Sequence, residues 1–213
     1  VLDFSHHSIT MTSIRIIKAS RSPNFRDLET LSQGLHTDWF GAPLTPPVRL
    51  LFWISEERLH FLIQAPMGPG LSHPEGQPSQ YHAELWNYDV AEFFIADPNS
   101  GRYLEFNLAP NGAWWSCGFS APRQASPGEP SALPNVETRT HQVSDSWFAQ
   151  ASLPLPWLRE HYHFGASSKM NACFILGSPR QVFVTAAPPP PNEDAPDFHR
   201  PEKFLSGEFI SLA

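Results

Sequence analysis

Glu92 and Glu105 stand inside two otherwise apolar runs, residues 90–96 and 102–109, with Trp86, Tyr103, Asn107 and the pair Trp114-Trp115 close by in the chain. A carboxylate in a buried strand is costly unless something donates to it, so Glu92 requires an arginine, a backbone N–H or a ligand hydroxyl. Aromatic plates beside carboxylate and amide groups are the means of holding a sugar: the ring covers the apolar C–H face of a pyranose while the polar groups take its hydroxyls. Two carboxylates about 5 to 10 Å apart also suit a glycosidase. Neighbouring carboxylates on a sheet serve equally as a ligand anchor or a calcium site, and the reading adopted is binding without catalysis.

Alternation along a strand assigns these side chains to faces. In 102–109, Leu104, Phe106 and Leu108 share one face, and Tyr103, Glu105 and Asn107 the other. In 90–96, Glu92 goes with Val90 and Phe94, opposite Ala91, Phe93 and Ile95. Apolar residues on both faces mark a central strand covered on two sides. Trp114 and Trp115 point to opposite faces; Trp115, with Ala113, Cys117 and Phe119, is the better core candidate, and Trp114 extends the polar aromatic face. Trp86 has the parity of Glu92, but six extended residues span roughly 20 Å. Both touch one small ligand only if the segment 86–88 leaves the strand and folds back over the face.

The elements that must position these groups are short runs rich in β-branched and aromatic residues: 48–54, 58–65, 90–96, 102–109, 113–120, 136–143, 147–153, 171–177, 182–186 and 207–212. Their spacing predicts an antiparallel β-sandwich. Ser55-Glu56-Glu57-Arg58 and Asp97-Pro98-Asn99-Ser100-Gly101 carry turn chemistry, so the two runs that hold the carboxylates are adjacent antiparallel strands. The 23 prolines thicken at 120–134 and 186–201, which predicts long loops there. Helical periodicity is confined to 155–163, with Pro156 in a first turn and Trp157, Leu158 and Tyr162 toward the core, so one short helix is expected. Residues 1–10, ahead of Met11, are set aside as a tail; the expected division is a tail over 1–12 and one domain over 13–213.

With 213 residues, 16% charged and a net charge of −7, the chain is long enough for one large β domain and offers no electrostatic reason to bind nucleic acid or an anionic membrane. No apolar run of about 18 residues is present, and the first residues lack the basic-then-apolar layout of an export signal, which leaves open a leader ahead of Val1. Cys117 and Cys173 have neither zinc nor redox spacing and read as buried thiols, with a disulfide between neighbouring strands as the alternative. His161-Tyr162-His163 lacks a third metal ligand nearby, no serine has a Gly-x-Ser-x-Gly setting, and no glycine-rich phosphate loop is found.

The run Trp86, Asp89-Val90, Glu92-Phe93-Phe94, then Tyr103, Glu105-Phe106-Asn107 and Pro110-Asn111-Gly112 resembles the family 9 carbohydrate-binding modules and their DOMON-like relatives. Further matches are Asn171-Ala172-Cys173-Phe174 and the segment from Pro196 to Phe204, so the resemblance spans roughly residues 48–212. It implies a β-sandwich of jelly-roll type, a sugar-binding face, no catalysis, structural calcium in some members, and a bacterial source. It also implies sugar contacts for Trp86 and Glu92. This chain departs from it in carrying Glu105 where sugar-binding members place an arginine, and in having no clear match for their second stacking tryptophan.

The expectation is therefore an all-β, non-catalytic carbohydrate-binding domain, with no cofactor other than structural calcium and with a linked enzyme as a further partner. Trp86 is the stacking plate; Glu92, Glu105 and Asn107 are the anchors; Tyr103 and Trp114 are the walls; Asn171, His199 and Arg200 close the rim. Two alternatives stand beside it. One is a DOMON-like interaction domain that has lost its sugar site; the other is a haem domain drawing on Met67, Met170, His60, His73, His82 or His199, which a visible absorbance spectrum separates.

Overall fold

The computed structural model describes residues 11–66, 71–127, 132–191 and 193–212. Its strands are β1 (Ser13–Lys18), β2 (Gln33–Thr37), β3 (Pro43–Ser55), β4 (Arg58–Ala65), β5 (Val90–Ala96), β6 (Tyr103–Leu108), β7 (Trp114–Ala121), β8 (Gln124–Ala125), β9 (Glu137–Gln142), β10 (Trp147–Pro154), β11 (Lys169–Leu176), β12 (Val182–Thr185) and β13 (Leu205–Ser211). They form one continuous sheet in the order β8-β7-β6-β5-β11-β13-β1-β3-β4-β10-β9, with β12 on β11 and β2 on β3.

The all-β expectation holds, but the sheet is mixed rather than antiparallel throughout. β1 runs parallel to both β13 and β3. It is the strand that joins the two halves of the sheet, and a parallel neighbour on each side is available to it because β13 and β3 arrive from distant parts of the chain. β1, β2 and β8 are absent from the ten runs read off the sequence. β2 buries only Leu35 of its five residues and β8 has two residues, both exposed, so neither shows the apolar alternation that reveals a strand.

The sheet folds over on itself. Phe93 of β5 stacks on Phe106 of β6 and meets Phe52 of β3 and Phe61 of β4 edge-on, with centroids 5.5 and 5.1 Å away, although β3 and β5 lie four places apart in the strand order. The main core fills the space between the halves. A second apolar cluster, with Val90, Phe94, Tyr103, Phe119, Cys173 and Ile175, lies on the other face of β5, β6, β7 and β11. A third, around Trp53, covers the other face of β3 and β4 and includes Leu28. Coverage on both faces is why β5 is buried at every position.

Among the described residues two α-helices are present where one was expected. α2 (Leu155–Tyr162) follows the sequence reading: Pro156 lies in the first turn, Leu155, Leu158 and Tyr162 are buried, and His163 caps the end in a left-handed conformation, φ 48°. α1 (Asp27–Leu31) is a five-residue turn held by Asp27, which pairs with Arg21 and accepts the Asn24 N–H at 2.8 Å. Five residues cannot display helical periodicity, so nothing in the apolar pattern announced it. The expected turns at 55–58 and 97–101 both form, the second with Asp97 accepting from Asn99 N–H and Ser100 Oγ. Residues 1–10 of the expected tail and Met67 lie outside the described residues.

Candidate functional site

β5, β6, β7 and β11 place four rows of side chains on one face. Across the strands Glu92 lies opposite Asn107 and Cys173, Glu105 opposite Phe94 and Cys117, and Asn107 opposite Trp115. Glu92 and Glu105 are therefore diagonal neighbours on adjacent strands. A cavity of about 360 Å³ opens above them, lined by both carboxylates together with Trp86, Trp115, Arg123 and His199, and completed by Phe119, Ile175, Phe183, Pro196 and Phe198.

Trp86 reaches this cavity because its segment does fold back. Leu85–Asn87 is a 3-10 turn entered through Glu84 at φ 62°, and it is held where it stands on both sides. Asp89, buried, accepts N–H bonds from Leu71 at 3.0 Å and Ser178 at 2.8 Å, and Gln181 Nε2 donates to the Trp86 carbonyl at 3.1 Å. The indole meets Trp115 at a centroid distance of 5.2 Å and an interplanar angle of 72°, making an aromatic corner over the carboxylates.

The pair Trp114-Trp115 is corrected by the register. Trp115 faces Asn107, hence the polar row and the cavity; Trp114 faces Leu108 and stacks on Phe106 in the main core at 5.8 Å. Parity had separated the two rings properly, but Ala113, Cys117 and Phe119 beside Trp115 suggested a core face. That apolar company belongs to the second cluster, which underlies the site.

Glu92 is 3% exposed, and among the described residues none donates a hydrogen bond to it or forms an ion pair with it. Burial, and then the neighbouring Glu105, hold its carboxyl well above the usual carboxylate range. Glu105 is pushed up to about 7, chiefly by burial, with the Arg123 charge opposing. His199 Nε2 stands 3.5 Å from Glu105 Oε2 while its Nδ1 meets the Tyr103 hydroxyl at 2.8 Å. That hydroxyl also accepts the Arg123 N–H at 3.1 Å. Burial drives the His199 pKa down to about 4, so the ring is neutral near pH 7.

Arg123, on the β7–β8 hairpin at φ 59°, was not anticipated. Its Nη2 bridges Asp197 Oδ1 at 2.8 Å, and Asp197 also accepts the His199 N–H, so one carboxylate joins the hairpin to the loop that closes the rim. Proximity here is made by a hairpin and a loop 74 positions apart, which no local spacing encodes.

Of the residues proposed from sequence, Trp86, Glu92, Glu105 and His199 line the cavity. The others do not. Tyr103 is fully buried, stacked on Phe119 at 5.0 Å, and supports His199 from behind. Asn107 is fully buried beside Glu105 without a well-formed hydrogen bond of its own. Asn171 accepts the Ala187 N–H at 2.9 Å and so ties down the chain leaving β12. Arg200 pairs with Glu193 and Glu202.

Both cysteines are free thiols. His161 stacks on Trp157 and His163 Nδ1 meets Asp97 at 3.0 Å, so that pair of imidazoles serves separate contacts. Among the described residues no group of three or more His, Cys, Asp or Glu side chains is placed to hold a metal ion. Met170 is buried in the main core. Among the described residues no helix is long and apolar enough to cross a membrane.

No family model matches the sequence. Individual proteins do: the UPF0462 protein C4orf33 homologue of Rattus norvegicus is 30% identical over 180 residues, 82% of this chain and 86% of its own length. The Danio rerio homologue is 30% identical over 175 residues, 79% of this chain and 84% of its own. The chain belongs to the UPF0462 family. The Mus musculus homologue, 28% identical, covers 82% of this chain and 89% of its own length. These vertebrate relatives overturn the bacterial source implied by the resemblance.

Among solved structures, a Bacteroides uniformis protein described as a presumed carbohydrate binder superposes with a TM-score of 0.65 at 17% identity, over 94% of this chain and 100% of its own. A family 9 carbohydrate-binding module from Caldicellulosiruptor kristjanssonii, in complex with glucose, gives 0.59 at 11% identity, over 93% and 97%. These likenesses show that this UPF0462 chain has the fold of carbohydrate-binding modules; a DOMON-like relationship is not part of what they show.

Proposed function

We propose that this UPF0462 chain is a non-catalytic carbohydrate-recognition domain that takes a sugar into the cavity between Trp86, Trp115, Glu92 and Glu105. The observation that carries the reading is Glu92: a carboxylate 3% exposed, lining the cavity, with no donor among the described residues. Its carboxyl lines the cavity, and a ligand hydroxyl there supplies the hydrogen bond that no described residue makes. The Trp86–Trp115 corner supplies the apolar plate that a pyranose C–H face needs beside such an anchor. The solved complex of a similarly folded module with glucose supports the choice of ligand class. In the same reading residues 13–213 act as one domain, the folded-over sheet is a jelly-roll type of sandwich, and the domain serves an enzyme on a flank or another chain.

A glycan array followed by calorimetry tests it. The wild-type chain binds at least one sugar class with a Kd below millimolar, and Trp86→Ala and Trp115→Ala each weaken it at least tenfold with the thermal transition preserved. Absence of any bound glycan at millimolar concentration sinks the proposal.

A further inference from the structure

We infer that the sugar this cavity selects carries a free amino group, the ammonium seated between Glu92 and Glu105 and the ring laid against Trp86 and Trp115. The inference rests on the carbohydrate reading above and adds the charge of the ligand to it.

Formal charge on the lining leads to this. Glu92 and Glu105 are 3% and 5% exposed and stand on adjacent strands. Glu92 has no donor among the described residues, and the neighbour of Glu105, His199 at 3.5 Å, is held neutral by burial and brings a dipole but no charge. Arg123 is the one cation among the lining residues, yet its guanidinium is 62% exposed and its Nη2 is engaged by Asp197 at 2.8 Å. Arg123 is paired with Asp197 and acts on Glu92 and Glu105 only at a distance, so neither carboxyl of the pair has a cation in contact among the described residues.

Hydroxyls of a neutral sugar can bond to the pair in its protonated form but bring no charge that favours its ionised form. An ammonium brings three N–H donors and the missing positive charge, and charge-assisted bonds to carboxylate are about twice as strong as neutral ones. The indole faces add a cation–π attraction at the same position. Burial and mutual repulsion keep a proton on the carboxyl pair near neutral pH, so an incoming ammonium displaces it. The titratable and charged groups around the pair are Arg123, Asp197, His199, Tyr103, Cys117 and Cys173; burial keeps His199 neutral and holds the proton on the Tyr103 phenol and on both thiols, so the proton released comes from Glu92 or Glu105.

Calorimetry of the full chain at pH 7 with methyl glucosaminide, methyl N-acetylglucosaminide and methyl glucoside separates the possibilities, since the three share a ring and differ in the charge at one carbon. The glucosaminide binds at least tenfold more tightly than either neutral sugar, and titrations in buffers of different ionisation enthalpy show proton release with it alone. Glu105→Gln, its fold checked by circular dichroism, brings the ratio of glucosaminide to glucoside affinity within about threefold. Equal or tighter binding of the neutral sugars, or an unchanged ratio in Glu105→Gln, overturns the amino-sugar inference while leaving carbohydrate recognition standing. No binding of these three or of any arrayed glycan sinks both.

Discussion

Glu105 is neutral in part near pH 7 because burial withholds water from its charged form, and that makes it a probe of the site even without ligand. Its folded pKa of about 7 lies above the unfolded value of 4.5, so the native state holds the proton more tightly. Stability from this group is fully present below about pH 4.5 and is lost as pH rises through 7, by up to about 3 kcal/mol. Glu92 acts in the same direction. His199 acts in the opposite one: with its pKa depressed to about 4, stability is lost as pH falls from 6.5 through 4. Glu105→Gln cannot titrate, so urea unfolding at pH 5 and pH 8 shows a decline with rising pH that is smaller than in wild type by roughly 2 kcal/mol. A variant that keeps the full decline places the cause elsewhere.

At the scale of elements, the cavity depends on how the β6–β7 hairpin is pinned. Gly112 sits in that turn at φ +83°, its N–H donating to the Ala109 carbonyl at 2.9 Å and its own carbonyl accepting from Thr138 Oγ1 at 2.6 Å. A Cβ there would lie 2.9 Å from Thr138 Oγ1 and 3.2 Å from Pro78 Cα. The conformation and the space both demand glycine. Gly112→Ala therefore lowers stability by about 1 to 3 kcal/mol, measured by chemical denaturation. Because β7 carries Trp115, the same change weakens sugar binding without touching any lining residue.

For the whole molecule, Phe93 is the residue that both halves of the sheet share. Its ring contacts Phe52, Phe61 and Phe106 within the one core that separates the halves. Phe93→Ala removes the ring from the centre of that core and costs about 3 to 5 kcal/mol. The loss appears as a lower denaturation midpoint with cooperativity retained, since both halves lean on the same cluster. Survival of the variant at wild-type stability would show that the halves are held by β1 and its neighbours alone.

Local properties of the chain were enough to mark ten of the strands by their β-branched and aromatic runs, the helix expected over 155–163 by its periodicity, the adjacency of β5 and β6 by the turn residues 97–101, and the shared face of Glu92 and Glu105 by side-chain alternation. They also stated the condition on Trp86, that its segment must fold back, from nothing more than the rise per residue. Only the tertiary structure decided which face of β7 looks into the site, because both faces are apolar and differ by which cluster they join. The parallel wedge of β1, the arrival of Arg123 and Asp197 from distant loops, and the retreat of Tyr103, Asn107, Asn171 and Arg200 into supporting roles were likewise settled in three dimensions. Periodicity tells a side chain its side of a strand; what lies on that side is set by segments far away in the sequence.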